Sequence, residues 1–226
     1  MTEKSGLHVA GGPRIATSLD PDQVDRLRRH PGGPAVMPYA KGTPVWNVPR
    51  DAEILMTYSG GWVTAPREKP SGWPYNLKWV QIASAGIDAF PEWIFDVEMV
   101  TNGRGVSSIA IAEYVVGAIF AHEKRMFDGL LARSANEWTR RNIGSVSGKS
   151  VGFYGYGSIA RTTAGMLAAL GMTVHATRRG GGGDELEGVR FVASVAELAA
   201  TVDHLVVAVP LTAVTRRSVD AAVLAQ

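Results

Sequence analysis

The chain of 226 residues is long enough for one large domain or two small ones with buried cores. Its composition, 46% hydrophobic and 19% charged, is typical of a globular protein, and a net charge of +2 gives no field that would favour nucleic acid as a partner. The chain holds no cysteine, which excludes disulfides, thiolate metal sites and cysteine nucleophiles and fits the cytoplasm.

Nothing in the sequence predicts a membrane partner. The N-terminus lacks the apolar core of a signal peptide. The longest apolar stretch, residues 109–121, is interrupted by Glu113 and is too short to span a bilayer. We therefore expect a soluble, cytoplasmic protein.

The first half of the chain contains one capped helix start and three short strands. Asp20 caps a helix that begins at Pro21, whereas the rest of residues 1–50 shows only weak periodicity. Strands are predicted at 51–57, 77–83 and 98–101, and a loop rich in Gly, Pro and Trp covers 59–75.

The predicted strand at 77–83 ends on the small residues Ser84, Ala85 and Gly86. Such an ending leaves backbone N–H groups free, and these can form a nest for an anion. A plain turn explains the same residues, and the local sequence alone favours the turn.

A long helix is predicted from Ser107. Its expected buried face follows the spacing of an amphipathic helix, and it consists of Ile109, Ala112, Val115, Val116, Ile119 and Phe120. Helical character is expected to about Trp138. A helix of this length between two α/β segments would connect two domains and contact a second subunit.

Residues 150–179 predict a βαβ unit, with an apolar run, a glycine-rich turn, an Ala/Leu-rich helix and a second strand. The turn carries Gly-x-Gly-x-x-Ala at Gly155, Gly157 and Ala160, where a dinucleotide pyrophosphate would meet the helix N-terminus. An ordinary tight βα turn that binds nothing is the alternative.

The remaining segments continue an α/β pattern. Four glycines at 180–183 predict a mobile loop, and a short strand follows at 191–192. Ser194 and Glu197 have capping-box spacing for a helix to about Thr201. Residues 204–209 read as a buried parallel strand, and a further helix starts at Asp220.

The end of the second strand of the βαβ unit indicates which dinucleotide binds. An NAD site normally carries an acidic residue there, whereas this chain has Thr177, Arg178 and Arg179. Guanidinium groups are suited to a 2′-phosphate, so we expect NADP(H), with NAD(H) as the alternative. In that alternative both arginines face solvent and Asp184 or Glu185 approaches the ribose.

From about Asp51 onward the chain resembles the D-isomer-specific 2-hydroxyacid dehydrogenases, the family of glyoxylate/hydroxypyruvate reductases and phosphoglycerate dehydrogenase. The resemblance rests on four ordered motifs. They are Leu-Lys-Trp-Val-Gln through Ser-Ala-Gly-Ile-Asp at 77–88, Val-Thr-Asn-Gly-Arg-Gly-Val through Ile-Ala-Glu at 100–113, the glycine motif at 155–160, and Val-Pro-Leu-Thr-x-x-Thr at 209–215.

The resemblance implies an α/β fold with two domains and an active site in the cleft between them. These are a flavodoxin-like substrate domain at 1–101 and a Rossmann-type doubly wound cofactor domain at 102–226. By similarity, the N–H groups of Ala85 and Gly86 hold the substrate carboxylate, with Ser84 beside them. The family is commonly dimeric through its cofactor domain, so a homodimer is expected of the complete protein.

The resemblance also implies cofactor contacts in the second domain. The residues concerned are Ser108 near the nicotinamide, Tyr156, Gly157, Ser158 and Ile159 around the pyrophosphate, and Val209, Pro210 and Thr215 along the cofactor.

One departure from the family concerns catalysis. Reduction of a 2-oxo acid needs a cation at the substrate and a general acid. The family supplies an Arg and a Glu–His pair, and in this comparison both lie beyond Gln226. We therefore expect a cofactor domain that is incomplete in its C-terminal part and an isolated chain that is inactive and poorly stable or associated.

Three functions follow from these patterns. The first is an NADP(H)-dependent reductase of small 2-oxo acids such as glyoxylate or hydroxypyruvate. The second is a non-catalytic NADP(H)-binding module that signals to a protein partner. The third, a different Rossmann oxidoreductase, is disfavoured by the motifs at 84–88 and 102–105.

Overall fold

The structure is a computed structural model that describes residues 11–39, 42–128, 134–138, 140, 142–178, 183–186 and 188–226, with 183–186 described for the backbone only. The chain divides into two compact units, Met1–Arg104 and Gly105–Gln226. The expected domain boundary, between residues 101 and 102, lies close to this division.

The first unit is built on a five-stranded parallel sheet. Its strands are β1 (Arg14–Thr17), β2 (Ala35–Pro38), β3 (Ile54–Thr57), β4 (Trp79–Ile82) and β5 (Met99–Asn102). The spatial order β2-β1-β3-β4-β5 is that of flavodoxin-like sheets. The three strands predicted from the sequence are β3, β4 and β5, whereas β1 and β2 were missed because they lie in residues 1–50, where many Gly and Pro residues leave only weak periodicity.

The helices of the first unit are α1 (Pro21–Arg28) and two short 3-10 segments, Ser59–Gly61 and Glu92–Asp96. The backbone N–H of Asp20 donates to Oε1 of Gln23 at 3.3 Å, so α1 begins where the sequence predicts. The segment 59–75, expected as a loop, also contributes to the core: Trp62 is only 1% exposed, and its ring centroid lies 5.3 Å from that of Phe90 with the rings tilted by 40°.

The second unit carries the predicted βαβ arrangement. Its elements are α2 (Ser108–Glu123), β6 (Ser150–Tyr154), α3 (Ser158–Ala169), β7 (Thr173–Thr177), β8 (Gly183–Leu186), β9 (Val189–Phe191), α4 (Val195–Thr201), β10 (His204–Val207) and α5 (Ala221–Leu224). The sheet order is β10-β6-β7-β9-β8. The parallel strands β9, β7, β6 and β10 reproduce the first four positions of a Rossmann sheet, and β8 pairs antiparallel with β9.

The predicted cap at Ser194 is present, and Asp220, where the sequence predicts the start of a helix, caps α5. The Ser194 hydroxyl accepts from the Glu197 N–H at 3.1 Å, and an Asp220 carboxylate oxygen accepts from the Val223 N–H at 3.0 Å. A mobile loop was predicted at 180–183. Residues 180–182 lie outside the described part of the chain, and Gly183 begins β8, a strand that was not predicted.

Two expectations for α2 were wrong. The helix ends at Glu123, and residues 134–138 form a turn and a coil instead of continuing it to Trp138. Ile109 is 63% exposed although its spacing placed it on the buried face. The reason is that α2 is apolar around most of its circumference, so periodicity does not define which side packs against α3.

Among the helices that the structure describes, none is both long enough and apolar enough to cross a bilayer.

Candidate functional site

The glycine-rich turn joins β6 to α3 and gathers three predicted site residues. Gly155 has a φ of +97°, and a Cβ added there would lie 2.7 Å from Cγ1 of Val209, so only glycine fits without strain. Its N–H donates to Oγ1 of Thr177 at 3.3 Å. Gly155, Thr177 and Val209 therefore meet at the carboxyl ends of β6, β7 and β10, where open α/β sheets bind ligands.

The space beside the start of α3 is open. Gly157 precedes the helix, is exposed, and would place an added Cβ with no atom within 4 Å. The first N–H groups of α3, at Ser158 and Ile159, have no acceptor within the helix, and the helix dipole is positive at this end. Free donors, a positive potential and open space are what an anionic phosphate group requires.

Ser108 links α2 to this turn. Its hydroxyl donates to the Ser158 hydroxyl at 2.9 Å, and Ser108 is itself 7% exposed. The first residues of α2 and α3 are thus in contact through their side chains. The position of Ser108 relative to a nicotinamide ring stays a prediction.

The segment after β10 folds back on itself. The Thr215 hydroxyl donates to the Pro210 carbonyl at 2.6 Å and accepts from the Thr212 N–H at 2.8 Å. Val209 and Pro210 therefore sit in a turn closed by Thr215, at the carboxyl end of β10. The resemblance had grouped these residues, and the structure supplies the hydrogen bonds that hold the turn.

Arg178 follows β7 directly and is exposed, with its guanidinium 4.5 Å from the centroid of the Phe191 ring. Among the described side chains, no carboxylate forms an ion pair with it. Arg179 lies outside the described residues, as do the side chains of Asp184 and Glu185. Arg178 therefore presents an exposed cation at this strand end, with no ion pair among the described residues.

The predicted anion nest lies in the first unit, at the end of β4. The carbonyls of Ser84, Ala85 and Gly86 all accept hydrogen bonds, from the Gly103 N–H at 3.1 Å, from Nδ2 of Asn102 at 3.0 Å and from the Ser84 hydroxyl at 3.0 Å.

Within the described residues, the N–H groups of Ala85 and Gly86 donate to no protein acceptor, and both residues are exposed. A loop whose carbonyls are bonded and whose N–H groups are free presents donors to an anion. Asn102 and Gly103 are residues of this site that the sequence analysis did not single out. A Cβ on Gly103 would collide with the Ala83 carbonyl, so the contact between β5 and the nest loop requires glycine.

A Glu–His pair does exist in the second unit, at the other end of the sheet. Nε2 of His204 lies 2.9 Å from Oε1 of Glu123, and Nζ of Lys149 lies 3.2 Å from the same oxygen. Lys149 and His204 stand at the starts of β6 and β10, whereas the glycine-rich turn follows the end of β6. The pair is therefore remote from the dinucleotide site.

Nζ of Lys149 also lies 3.5 Å from Oδ1 of Asp203, so two carboxyl groups, those of Glu123 and Asp203, belong to this cluster. Burial raises the pKa of Glu123, but the hydrogen bonds from Lys149 and His204 outweigh burial, so its pKa is lowered. Hydrogen bonds from the backbone and side chain of Ser150 lower the pKa of Asp203. His175, in β7, is buried, which lowers its pKa, and its Nδ1 has no partner among the described groups. Among the described residues, no three His, Asp or Glu side chains form a metal site.

Comparison with known proteins agrees with this geometry. Residues 116–226 match the family model described as D-isomer specific 2-hydroxyacid dehydrogenase, NAD binding domain. The matched part of the chain, residues 116–226, is therefore an NAD-binding domain of the D-isomer specific 2-hydroxyacid dehydrogenase type. That family is one of oxidoreductases, and its matched domain binds a nicotinamide cofactor.

One curated relative and two solved structures are similar to a larger part of the chain. The chain is 28% identical over 184 residues to D-3-phosphoglycerate dehydrogenase of Methanocaldococcus jannaschii, with 74% of this chain but only 32% of that relative covered. A glyoxylate reductase from Paecilomyes thermophila has a TM-score of 0.70 at 19% identity, over 91% of this chain and 67% of its own.

The second structure is an acyclic imino acid reductase in complex with NADPH and D-Arg. It has a TM-score of 0.68 at 20% identity, over 89% of this chain and 67% of its own. At these identities the two structures show only that this chain shares their fold. The chain thus spans about a third of the length of the curated relative that it matches.

Proposed function

We propose that the chain belongs to an NADP(H)-dependent reductase that transfers hydride between the cofactor and a small 2-oxo or 2-hydroxy acid of the glyoxylate or hydroxypyruvate type. The observation that carries the cofactor choice is the exposed guanidinium of Arg178 at the end of β7, which forms no ion pair with a described carboxylate. At this place NAD-binding members of the fold carry a carboxylate, which would repel a 2′-phosphate.

The chain's own residues bind and orient the two reactants. The first N–H groups of α3 bind the pyrophosphate, with Gly157 leaving room for it, and Arg178 binds the ribose phosphate. The free N–H groups of Ala85 and Gly86 hold the substrate carboxylate. A bound nicotinamide supplies the hydride that the 2-oxo carbon receives.

Proton transfer to the new alkoxide requires a general acid that the described residues do not place near the cofactor site. His204 is paired with Glu123 at the amino end of the sheet, and His175 is buried within β7. We propose that, as in the family, an Arg and a Glu–His pair outside these 226 residues complete the reaction. Turnover by these residues alone is therefore not expected.

The proposal extends to assembly and location. Exposed apolar side chains on α2, among them Ile109 and Tyr114, support a homodimer formed through the cofactor domain. A cytoplasmic location is consistent with the absence of cysteine from the sequence.

The test is a titration of the purified chain with NADPH, followed by measurement of NADPH consumption with a panel of small 2-oxo acids. We expect binding without turnover from these 226 residues, and turnover when the chain is extended at its C-terminus with the corresponding part of a family member. Failure of NADPH to bind contradicts the cofactor assignment. Turnover by the 226 residues alone contradicts the assignment of the general acid.

A second candidate function is a non-catalytic NADP(H)-binding module that changes its affinity for a protein partner. The observation that favours it is the position of the Glu123–His204 pair, which leaves the described cofactor site without an acid–base group. The free N–H groups of the nest favour the reductase instead. Binding of a small 2-oxo acid to the NADPH-loaded chain distinguishes the two, because only the reductase needs it.

A further inference from the structure

Four side chains form one arginine–aromatic cluster beside the dinucleotide site: Arg161, Tyr156, Phe191 and Arg178. The Arg161 guanidinium lies 5.4 Å from the centroid of the Tyr156 ring, and the Tyr156 ring meets Phe191 edge to face at 5.4 Å and 86°. The Phe191 ring in turn lies 4.5 Å from the Arg178 guanidinium. The cluster connects the glycine-rich turn to the end of β7.

Phe191 is the fixed member of its contact with Arg178. It is the last residue of β9, its backbone is in register with Ala176 of β7, and it is 6% exposed. Arg178, by contrast, is exposed. The sheet therefore holds the ring, and the ring provides a face on which the guanidinium rests.

A guanidinium that lies over a ring still has its N–H groups available at the edge of its plane, where a phosphate accepts two of them. An exposed arginine otherwise samples many rotamers and loses them when an anion binds. A cation–π contact that restricts those rotamers beforehand lowers this entropic loss.

We infer that Phe191 is a positioning residue that determines cofactor specificity: its ring holds the Arg178 guanidinium ready for the phosphate on the adenosine ribose. This inference rests on the proposed function, because it assumes that Arg178 binds that phosphate. Phe191 itself makes no contact with the dinucleotide in this account and acts only through Arg178.

The experiment measures dissociation constants for NADPH and NADH by calorimetry on the purified chain and four variants. Phe191→Leu removes the ring and keeps an apolar core residue. Phe153→Leu is the matched control, because Phe153 is a fully buried phenylalanine of β6 that forms no cation–π contact with an arginine among the described residues. Phe191→Tyr keeps an aromatic face, and Arg161→Ala removes a cation from the other end of the cluster.

We expect Phe191→Leu to reduce the preference for NADPH over NADH about two- to fivefold, with the NADH dissociation constant unchanged. Phe153→Leu, Phe191→Tyr and Arg161→Ala should retain the wild-type preference. The ratio of the NADH and NADPH dissociation constants is the informative readout, because loss of packing alone weakens the binding of both dinucleotides to the same extent.

Unchanged preference in Phe191→Leu, or equal weakening of both dinucleotides, overturns the inference while the cofactor assignment stands. A loss of preference in Arg161→Ala also overturns it, since discrimination would then belong to the other arginine. If Phe191→Leu does not fold, Phe191→Met replaces it: an adaptable apolar side chain fills the core without a ring, Arg178 is unchanged, and the same reduction is expected. If the wild-type chain binds neither dinucleotide, the proposed function itself fails.

Discussion

The Asn102 side chain donates a hydrogen bond of 3.0 Å to the Ala85 carbonyl, and this bond ties the end of β5 to the loop that follows β4. With the Ala85 carbonyl engaged, the N–H groups of Ala85 and Gly86 are exposed donors of the loop backbone, with no acceptor among the described residues. The bond thus links a residue of the Thr-Asn-Gly-Arg-Gly segment to the nest that we propose for the substrate carboxylate.

Asn102→Ala should weaken binding of a small 2-oxo acid to the NADPH-loaded chain about fivefold to tenfold, because one neutral hydrogen bond that orders the nest is lost. NADPH affinity should be unaffected, since the cofactor residues belong to the second unit. Calorimetry with both ligands measures the two affinities in one protein. Unaltered 2-oxo acid affinity would show that Asn102 does not order a binding nest.

Gly157→Ala should abolish measurable dinucleotide binding while leaving the fold intact. The new methyl group meets no protein atom within 4 Å, so it occupies only the space that we assign to the pyrophosphate. Gly165→Ala is the matched control, because Gly165 lies within α3, also has open space around an added Cβ, and is remote from the helix N-terminus.

For this control we expect unchanged binding and a helix stabilised by about 0.5–1 kcal/mol. Circular dichroism melting and NADPH titration of both variants check these outcomes. Full NADPH affinity in Gly157→Ala would place the phosphates elsewhere.

The stability of the second unit should fall in acid. Glu123 and Asp203 have lowered pKa values, so each contributes stability that is complete above its ordinary pKa, about 4. That contribution is lost as the pH falls through the lowered folded-state value. Urea unfolding monitored between pH 7 and pH 3 measures the slope.

Glu123→Gln should flatten this pH dependence and lower the free energy of unfolding at pH 7 by about 1–3 kcal/mol, because Lys149 and His204 lose a shared carboxylate. Asp25→Asn, at an exposed ion pair on α1, serves as the control and should change neither quantity appreciably. An unchanged pH profile in Glu123→Gln would show that the Glu123 carboxylate does not cause the loss of stability in acid.

The purified chain should self-associate. A groove of about 340 Å³ runs between α2 and β10, and Tyr114 and Val207, which line it, are 77% and 55% exposed. β10 is also an edge strand of the described sheet, with backbone groups free to pair.

Sedimentation across a range of concentrations measures this association. Replacing Tyr114 and Val207 by Lys should shift the equilibrium towards monomer, whereas Val63→Lys, at an exposed apolar residue of the first unit, should not. A wild-type chain that stays monomeric throughout would contradict this expectation.

The sequence predicted the elements whose pattern is local. The βαβ unit was found because a glycine motif, a helical period and two apolar runs follow one another within 30 residues. β1 and β2 were missed because they lie in residues 1–50, where many Gly and Pro residues leave only weak periodicity. α2 was extended too far because the chain turns out of the helix at Arg125, which has a φ of +51°, and an arginine there gives no glycine signal for a helix end.

Contacts between residues far apart in sequence could not be read in advance. Glu123 and His204 are 81 positions apart, and Phe191 meets Arg178 only because β9 lies next to β7 in the folded sheet. Asn102 stood within a motif that the resemblance quoted, but its bond to Ala85 depends on the alignment of β4 with β5. The sequence therefore located the candidate sites, and the sheet topology supplies the residues that support them.

The most direct test of the central claim is the ratio of NADH to NADPH dissociation constants for the wild-type chain and for Arg178→Ala. A charge-assisted contact with the ribose phosphate contributes about 1.5–3 kcal/mol, so the account predicts a wild-type preference for NADPH of one to two orders of magnitude. Arg178→Ala should remove most of that preference without changing NADH affinity. Equal affinities in the wild-type chain, or a preference that survives the substitution, would contradict the assignment of Arg178 as the phosphate-binding cation.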